Sequence, residues 1–153
     1  DAKAYATWLS EATGKRYRLP TESEWEYAAR SIAKNKDDIW AGTSEEVQLK
    51  EYAVYEAART EPVGGKKPNS LGLHDMSGNV WEWVEDCWHE NYNGAPTDGS
   101  AWLEAGDGVC SQRVVRGGAW TNVPEHLRAS TRSRFHDGAR YLNLSFRLVQ
   151  DLP

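Results

Sequence analysis

The sequence predicts an α+β domain of two helices, a few short strands and long ordered loops. Three observations carry this. The first 33 residues show a helical period, and the middle of the chain holds a segment too dense in Trp and Val for a solvated element. Much of the rest is punctuated by Gly, Pro, Asn and Ser. At 153 residues the chain has the size of one domain around one core. Eight tryptophans, spread over helices and loops alike, are the natural fastenings for so much irregular chain.

In "DAKAYATWLSEATG", Tyr5, Trp8, Leu9 and Ala12 recur at helical spacing, and Gly14 closes the pattern, so a first helix with that stripe buried is expected. In "PTESEWEYAARSIA", Thr21 and Glu24 form a capping box. Trp25, Ala28, Ala29 and Ile32 then make the buried stripe of a second helix. From residue 34 to 52 the period is lost and an irregular acidic loop is expected. "EPVGGKKPNSLGL" reads as a turn-rich connection. "HDMSGNVWEWVEDCW" reads as a core strand entered through a tight Ser-Gly-Asn turn. Residues 89–112 read as a long loop leading to the strand "RVVRGGAW", and "LSFRLV" as one closing strand.

Net charge is −5, but residues 113–147 carry seven arginines against Glu125 and Asp137 alone, so that stretch is +5 and the remainder −10. A basic stripe can follow a phosphate backbone. This one has no Lys and belongs to an acidic chain, so no nucleic-acid partner is expected. Planar guanidinium forks tying loops together account for it equally well. No stretch approaches the roughly 20 apolar residues of a membrane helix, and no membrane insertion is expected. The chain opens on Asp1-Ala-Lys with neither Met nor signal sequence, so its location is not read from the N-terminus and stays open, with the cell surface or secretion slightly favoured over the cytoplasm. Cys87 and Cys110 lack a metal or redox spacing, which leaves a disulfide and two free thiols both open.

Together, "YRLPTESEWEYAAR", "PNSLGLHDMSGNVWEW", "RVVRGGAW" and "FRLV" resemble the formylglycine-generating enzyme family, the sulfatase-modifying-factor domain, whose fold is a variant of the C-type lectin fold. The resemblance runs from about Ala2 to Val149. It implies a single domain over residues 1–153 that lacks the N-terminal strand region usual in the family. Enzymes of the family bind copper through two cysteines just after the Gly-Gly-x-Trp block. Here that stretch is "WTNVPEHLRASTRSRF", without cysteine, so neither copper nor the oxidase reaction is expected. The iron-dependent sulfoxide synthases of the family take three histidines from a separate domain. His74, His89, His126 and His136 show no such spacing and read as surface or loop residues. The resemblance does imply a structural calcium ion at the side chains of Asp75 and Glu82 and the carbonyls of Gly78 and Val80, a donor set that suits a hard cation. The alternative is that Asp75 caps the turn and Glu82 pairs with an arginine.

A subset of the same fold family, the variable proteins of diversity-generating retroelements, resembles this chain further. There, adenine-directed mutagenesis rewrites a stretch between the Gly-Gly-x-Trp block and a Phe-Arg-Leu strand, and substituted positions cannot become Lys, Glu, Gln, Met or Trp. Residues 121–145 contain only one of those five types, Glu125, where about five are expected from average composition. The implied function is a non-catalytic module that faces a protein or other macromolecule with Thr121, Asn122, Val123, His126, Thr131, Ser133, Phe135, His136, Tyr141 and Asn143 exposed on one face. Leu144 and Phe146 are expected in the core. The alternatives are a fixed accessory or binding domain, and an enzyme of the family with a site not built on cysteine.

Overall fold

The computed structural model describes residues 1–34 and 37–152. The first helix, α1 (Ala2–Thr13), ends on Gly14 in the left-handed conformation, whose amide donates to the Ser10 carbonyl. Its predicted apolar stripe is not buried. Tyr5 and Trp8 are 47% and 57% exposed, Ala12 is exposed, and Ala6 is the buried position. The helix is turned by Ser10, whose hydroxyl donates to the Ala6 carbonyl and accepts the Tyr17 amide, so the Ala6–Ser10 side faces the fold.

Strand β1 (Tyr17–Arg18) leads into α2 (Glu22–Ala29), which opens with the predicted capping box. Thr21 accepts from the Glu24 amide, and the Glu24 carboxylate accepts from the Thr21 amide. Trp25 and Ala29 are buried and Ala28 half-buried, while Ile32 begins a separate 3-10 turn, Ile32–Lys34. Trp25, 1% exposed, withdraws about 200 Å² from water, worth roughly 5 kcal/mol.

The region read as irregular loop falls partly on Asn35 and Lys36, outside the described residues. Its remainder contains a 3-10 turn (Glu46–Gln48) and one helical turn, α3 (Leu49–Tyr52). No local period announces α3. It forms because Leu49, wholly buried, packs with Trp40, Ala53 and Leu127.

A four-stranded sheet in the order β4-β3-β2-β5 is the centre of the molecule. Strand β2 (Trp81–Trp88) is the predicted core strand. Strand β3 (Val109–Arg116) starts four residues earlier than the sequence suggested, because Val109 pairs with Trp88 and a disulfide ties Cys110 to Cys87. Strand β4 (Arg132–His136), which has no clear apolar alternation, is defined by its register with β3, from Arg116↔Arg132 to Gln112↔His136. The predicted closing strand is two strands. β5 (Leu144–Phe146) runs parallel to β2, and β6 (Val149–Gln150) pairs with β1 in a second, two-stranded sheet. Arg147 makes the break, sending its guanidinium to Glu82 and the His74 carbonyl.

The sheet packs on both faces. On one side Trp25, Ala29, Met76, Val84 and Val114 form the core beneath α2; on the other lie Trp81, Val115 and Ala119, with Trp83, Phe135 and Leu144 half-buried beside them. Phe146 is half-buried and in edge contact with the Tyr5 ring, so neither it nor Leu144 reaches the full burial expected. The long connection between β2 and β3 is ordered by side chains. The Asp86 carboxylate accepts the Trp102 amide, and Thr21 donates to the Gly99 carbonyl. Among the described residues no helix is long and apolar enough to cross a membrane.

Candidate binding surface

The chain leaves β3 through Gly117 and Gly118, both at positive φ. A Cβ on Gly118 would lie 2.8 Å from a Leu127 methyl, and one on Gly117 would lie 3.1 Å from the Trp25 ring, so only glycine lets this turn sit against the core. The segment that follows is pinned from inside by Leu127 and Ala129, both wholly buried. The Trp120 amide donates to the Asn79 carbonyl, and the Asn122 side chain accepts the Ala119 amide. Trp120 itself is half-buried, with its indole N–H enclosed and without a hydrogen-bond partner among the described residues.

From that frame the ten predicted surface residues spread unevenly. Thr121, Val123, His126, His136 and Tyr141 are exposed; Asn122, Thr131, Ser133, Phe135 and Asn143 are half-buried. Phe135 packs edge-on between Trp83, 6.2 Å away, and Tyr141, 5.2 Å away. The Thr131 hydroxyl donates to the Glu125 carbonyl, and the Asn143 carbonyl accepts the Trp81 amide. β4 divides the set. Thr121–His126 lies beside residues 56 and 57, where the Glu56 amide donates to the Asn122 carbonyl. His136–Tyr141 lies beside the start of α1, where Arg140 pairs with Asp1. The two groups flank β4 at its opposite ends, and residues 132 and 136 are about 13 Å apart along the strand.

Behind the surface stands a charge network that sequence reasoning did not find. Glu22 on α2, 5% exposed, takes Arg132 Nε at 2.7 Å and Nη2 at 2.9 Å, and also the Tyr92 hydroxyl at 3.0 Å. The Arg132 guanidinium lies 4.6 Å from the Trp88 ring centroid and 4.4 Å from that of Tyr92. Burial works against its charge, yet hydrogen bonding to Glu22 leaves its pKa above the ordinary arginine value. The Tyr92 hydroxyl is pushed up to about 12, first by burial and then by the Glu22 carboxylate. Arg116, with no solvent exposure, pairs with Glu26, stands 3.5 Å from Glu22 and donates to the Thr131 carbonyl. The arginines of the basic stretch therefore act largely as staples. The partners lie about a hundred positions apart, too far for any spacing rule to reveal.

His89 lies in a loop, as expected, but inside it. It is 1% exposed, stacked on Trp102 at 3.6 Å between centroids, with its ring nitrogens against the Cys87 and Ala105 carbonyls. It fastens the β2–β3 connection instead of lying at the surface.

In the Asp75–Glu82 turn, Asp75, Gly78 and Asn79 are at positive φ. A Cβ on Gly78 would lie 2.3 Å from the Val54 carbonyl oxygen. Asp75 accepts the Gly64 amide at 2.7 Å. Glu82 accepts Arg147 Nε and Nη2 at 2.6 Å each and the Trp25 indole N–H at 2.7 Å. As placed, these residues do not fit an open calcium site, because the charge of Glu82 is already matched by Arg147.

The fold is similar to that of known proteins over nearly the whole chain. The family model described as Sulfatase-modifying factor enzyme 1-like domain matches residues 1–152. Serine/threonine-protein kinase Pkn1 of Chlamydia trachomatis is 35% identical over 152 residues, 99% of this chain and 23% of that protein. The formylglycine-generating enzyme of Streptomyces coelicolor is 34% identical over 170 residues, 99% of this chain and 50% of that protein. The chain thus spans half or less of the length of these relatives. Among solved structures, PvdO from Pseudomonas aeruginosa superposes with a TM-score of 0.87 at 40% identity, covering 99% of this chain and 59% of that one. Treponema denticola variable protein 1 gives 0.72 at 39% identity, covering 88% and 47%. The chain belongs to the sulfatase-modifying factor enzyme 1-like domain family and carries its C-type lectin-like fold of the formylglycine-generating-enzyme type.

Proposed function

We propose that this domain is a binding module of the variable-protein type, whose residues 121–145 face a protein or other macromolecular partner without catalysing a reaction. One observation carries the reading. Thr121, Val123, His126, Tyr141 and Leu142 are exposed, and none of their side chains makes a hydrogen bond or ion pair among the described residues. The fold of the same segment is held by Leu127, Ala129, the Asn122 side chain and Arg132 instead. A surface whose tips are independent of its fastenings tolerates replacement of the tips, as paratopes do. The likeness to Treponema denticola variable protein 1 supports it. The relatives named as formylglycine-generating enzymes favour the second reading, an enzyme of the family with other site residues.

Sequencing the coding segment from independent isolates tests the first reading. Differences gathered in codons 121–145, beside a near-copy of the segment and a reverse-transcriptase gene, are the expected result. Differences scattered evenly over the gene, with no such copy, would sink the variable version.

A further inference from the structure

Strand β4 ends the sheet order β4-β3-β2-β5, so it has β3 on one side and, among the described residues, no strand on the other. The Asp137 amide donates to the Ser111 carbonyl, which fixes the alternation along the pair. Ser133 and Phe135 turn their main-chain groups to Val115 and Arg113, and Arg132, Arg134 and His136 turn theirs outward. The His136 carbonyl accepts the Ala139 amide. The amides of residues 132, 134 and 136 and the carbonyls of 132 and 134 have no partner among the described residues.

Native edges are commonly closed to other chains by charged side chains that project across them. Here those side chains are drawn back onto the sheet. Arg132 is held by Glu22 and Arg134 by Glu90, with the two guanidinium groups 4.6 and 4.7 Å from the Trp88 ring centroid. Arg134 and His136 are exposed and Arg132 half-buried, so a row of donors and acceptors repeating about every 6.7 Å faces solvent. The two faces beside this row differ. Phe135 lies with Trp83 and Tyr141, and Arg134 lies on the opposite face over Trp88. A second copy of this chain, paired through β4 about its middle, would set Arg134 beside Arg134, which like charge disfavours. A carboxylate there is favoured.

We infer that β4 takes an added strand: an extended segment of a partner protein pairs its main chain with the outer edge of β4, with apolar side chains on the Phe135 face and a carboxylate beside Arg134. The inference rests on the binding reading above and deepens it. The edge runs between the Thr121–His126 and His136–Tyr141 tips, and a main-chain grip is indifferent to which side chains those tips carry.

Amide hydrogen exchange and NMR titration of the intact protein with acetyl-Thr-Val-Glu-Val-Thr amide test it. In the free protein the amides of Ser133 and Phe135 should exchange slowly and those of Arg132, Arg134 and His136 fast, and the peptide should slow the second set. N-methylation of the peptide's Glu, whose amide turns to β4, should weaken binding at least about tenfold, and N-methylation of either Val, whose amide turns away, less than about twofold. Lys in place of the peptide's Glu should weaken it about threefold. Arg134→Pro removes an outward donor and leaves the ladder to β3 intact, so it should fold and lose the peptide. Arg134→Ala keeps the amide and should cost only about threefold in affinity. Slow exchange at residues 132, 134 and 136 in the free protein, no saturable response at millimolar peptide, equal loss from both methylations or equal binding of the Lys peptide overturns the inference. So does a dimer in sedimentation that Arg134→Pro breaks apart, which would assign the edge to a second copy. A failed peptide beside variable codons 121–145 leaves the binding reading standing while the added strand falls; a bound peptide beside invariant codons supports the added strand on a fixed domain.

Discussion

Arg116 combines full burial with contacts to Glu22, Glu26 and the Thr131 carbonyl, and its guanidinium lies 5.3 Å from the Trp25 ring centroid. Deleting it takes a buried cation from Glu22 and the Thr131 carbonyl and leaves its volume empty, which costs about 3–5 kcal/mol. Arg116→Ala should lose that much in urea denaturation, and Arg134→Ala, whose pair with Glu90 is exposed, under about 1 kcal/mol. Glu24 supplies a pH test. The Arg18 guanidinium holds its carboxyl below the ordinary value near 4.5, helped by the Thr21 amide. A depressed value gives stability that is complete above the ordinary pKa and disappears as pH falls through the folded one. Glutamine keeps the capping box. Glu24→Gln should melt slightly below the parent at pH 7 and level with it at pH 2. Asp86 works in the opposite sense, since burial raises its pKa and its contribution is lost as pH rises. For Glu82, the Arg147 pair predicts that a calcium chelator leaves the melting midpoint unchanged while Glu82→Gln lowers it. A drop on chelation would restore the metal.

At the scale of elements, what was legible in the sequence is what local chemistry decides. The capping box of α2, the Gly14 stop of α1 and the aromatic strand β2 were all visible, because each needs only neighbours in sequence. Strand β4 and the single turn of α3 were not, since one exists through its ladder with β3 and the other through Leu49 in a distant cluster. The stripe of α1 misled for a related reason. A helical period shows which residues share a face, and Ser10 decides which face turns inward. The disulfide is the element-scale test. It closes the connection between Cys87 and Cys110, 23 positions apart, and an unfolded-chain estimate puts its worth at about 3 kcal/mol. Reduction should lower the unfolding free energy read from denaturant curves by about that amount and leave the protein folded, because His89, Trp102 and Asp86 still hold the connection.

For the molecule as a whole, the candidate surface was legible as a stretch and illegible as a shape. Composition marked residues 121–145, yet only the sheet shows that Leu127 and Ala129 face inward and Arg132 is a staple. Replacing Thr121, Val123, His126 or Leu142 with other polar or small residues should change stability by no more than about 0.5 kcal/mol, whereas Leu127→Ala should cost about 2–5 kcal/mol. Thermal melts of such a panel separate tips from fastenings. The division of the surface by β4 has a further consequence for how binding could change over time. On the proposed reading, groups flanking the two ends of a strand about 13 Å long contribute to affinity more nearly additively than neighbouring residues do. One end can therefore be rewritten while the other keeps its grip, so that a partner is exchanged by halves and an intermediate sequence never has to let go.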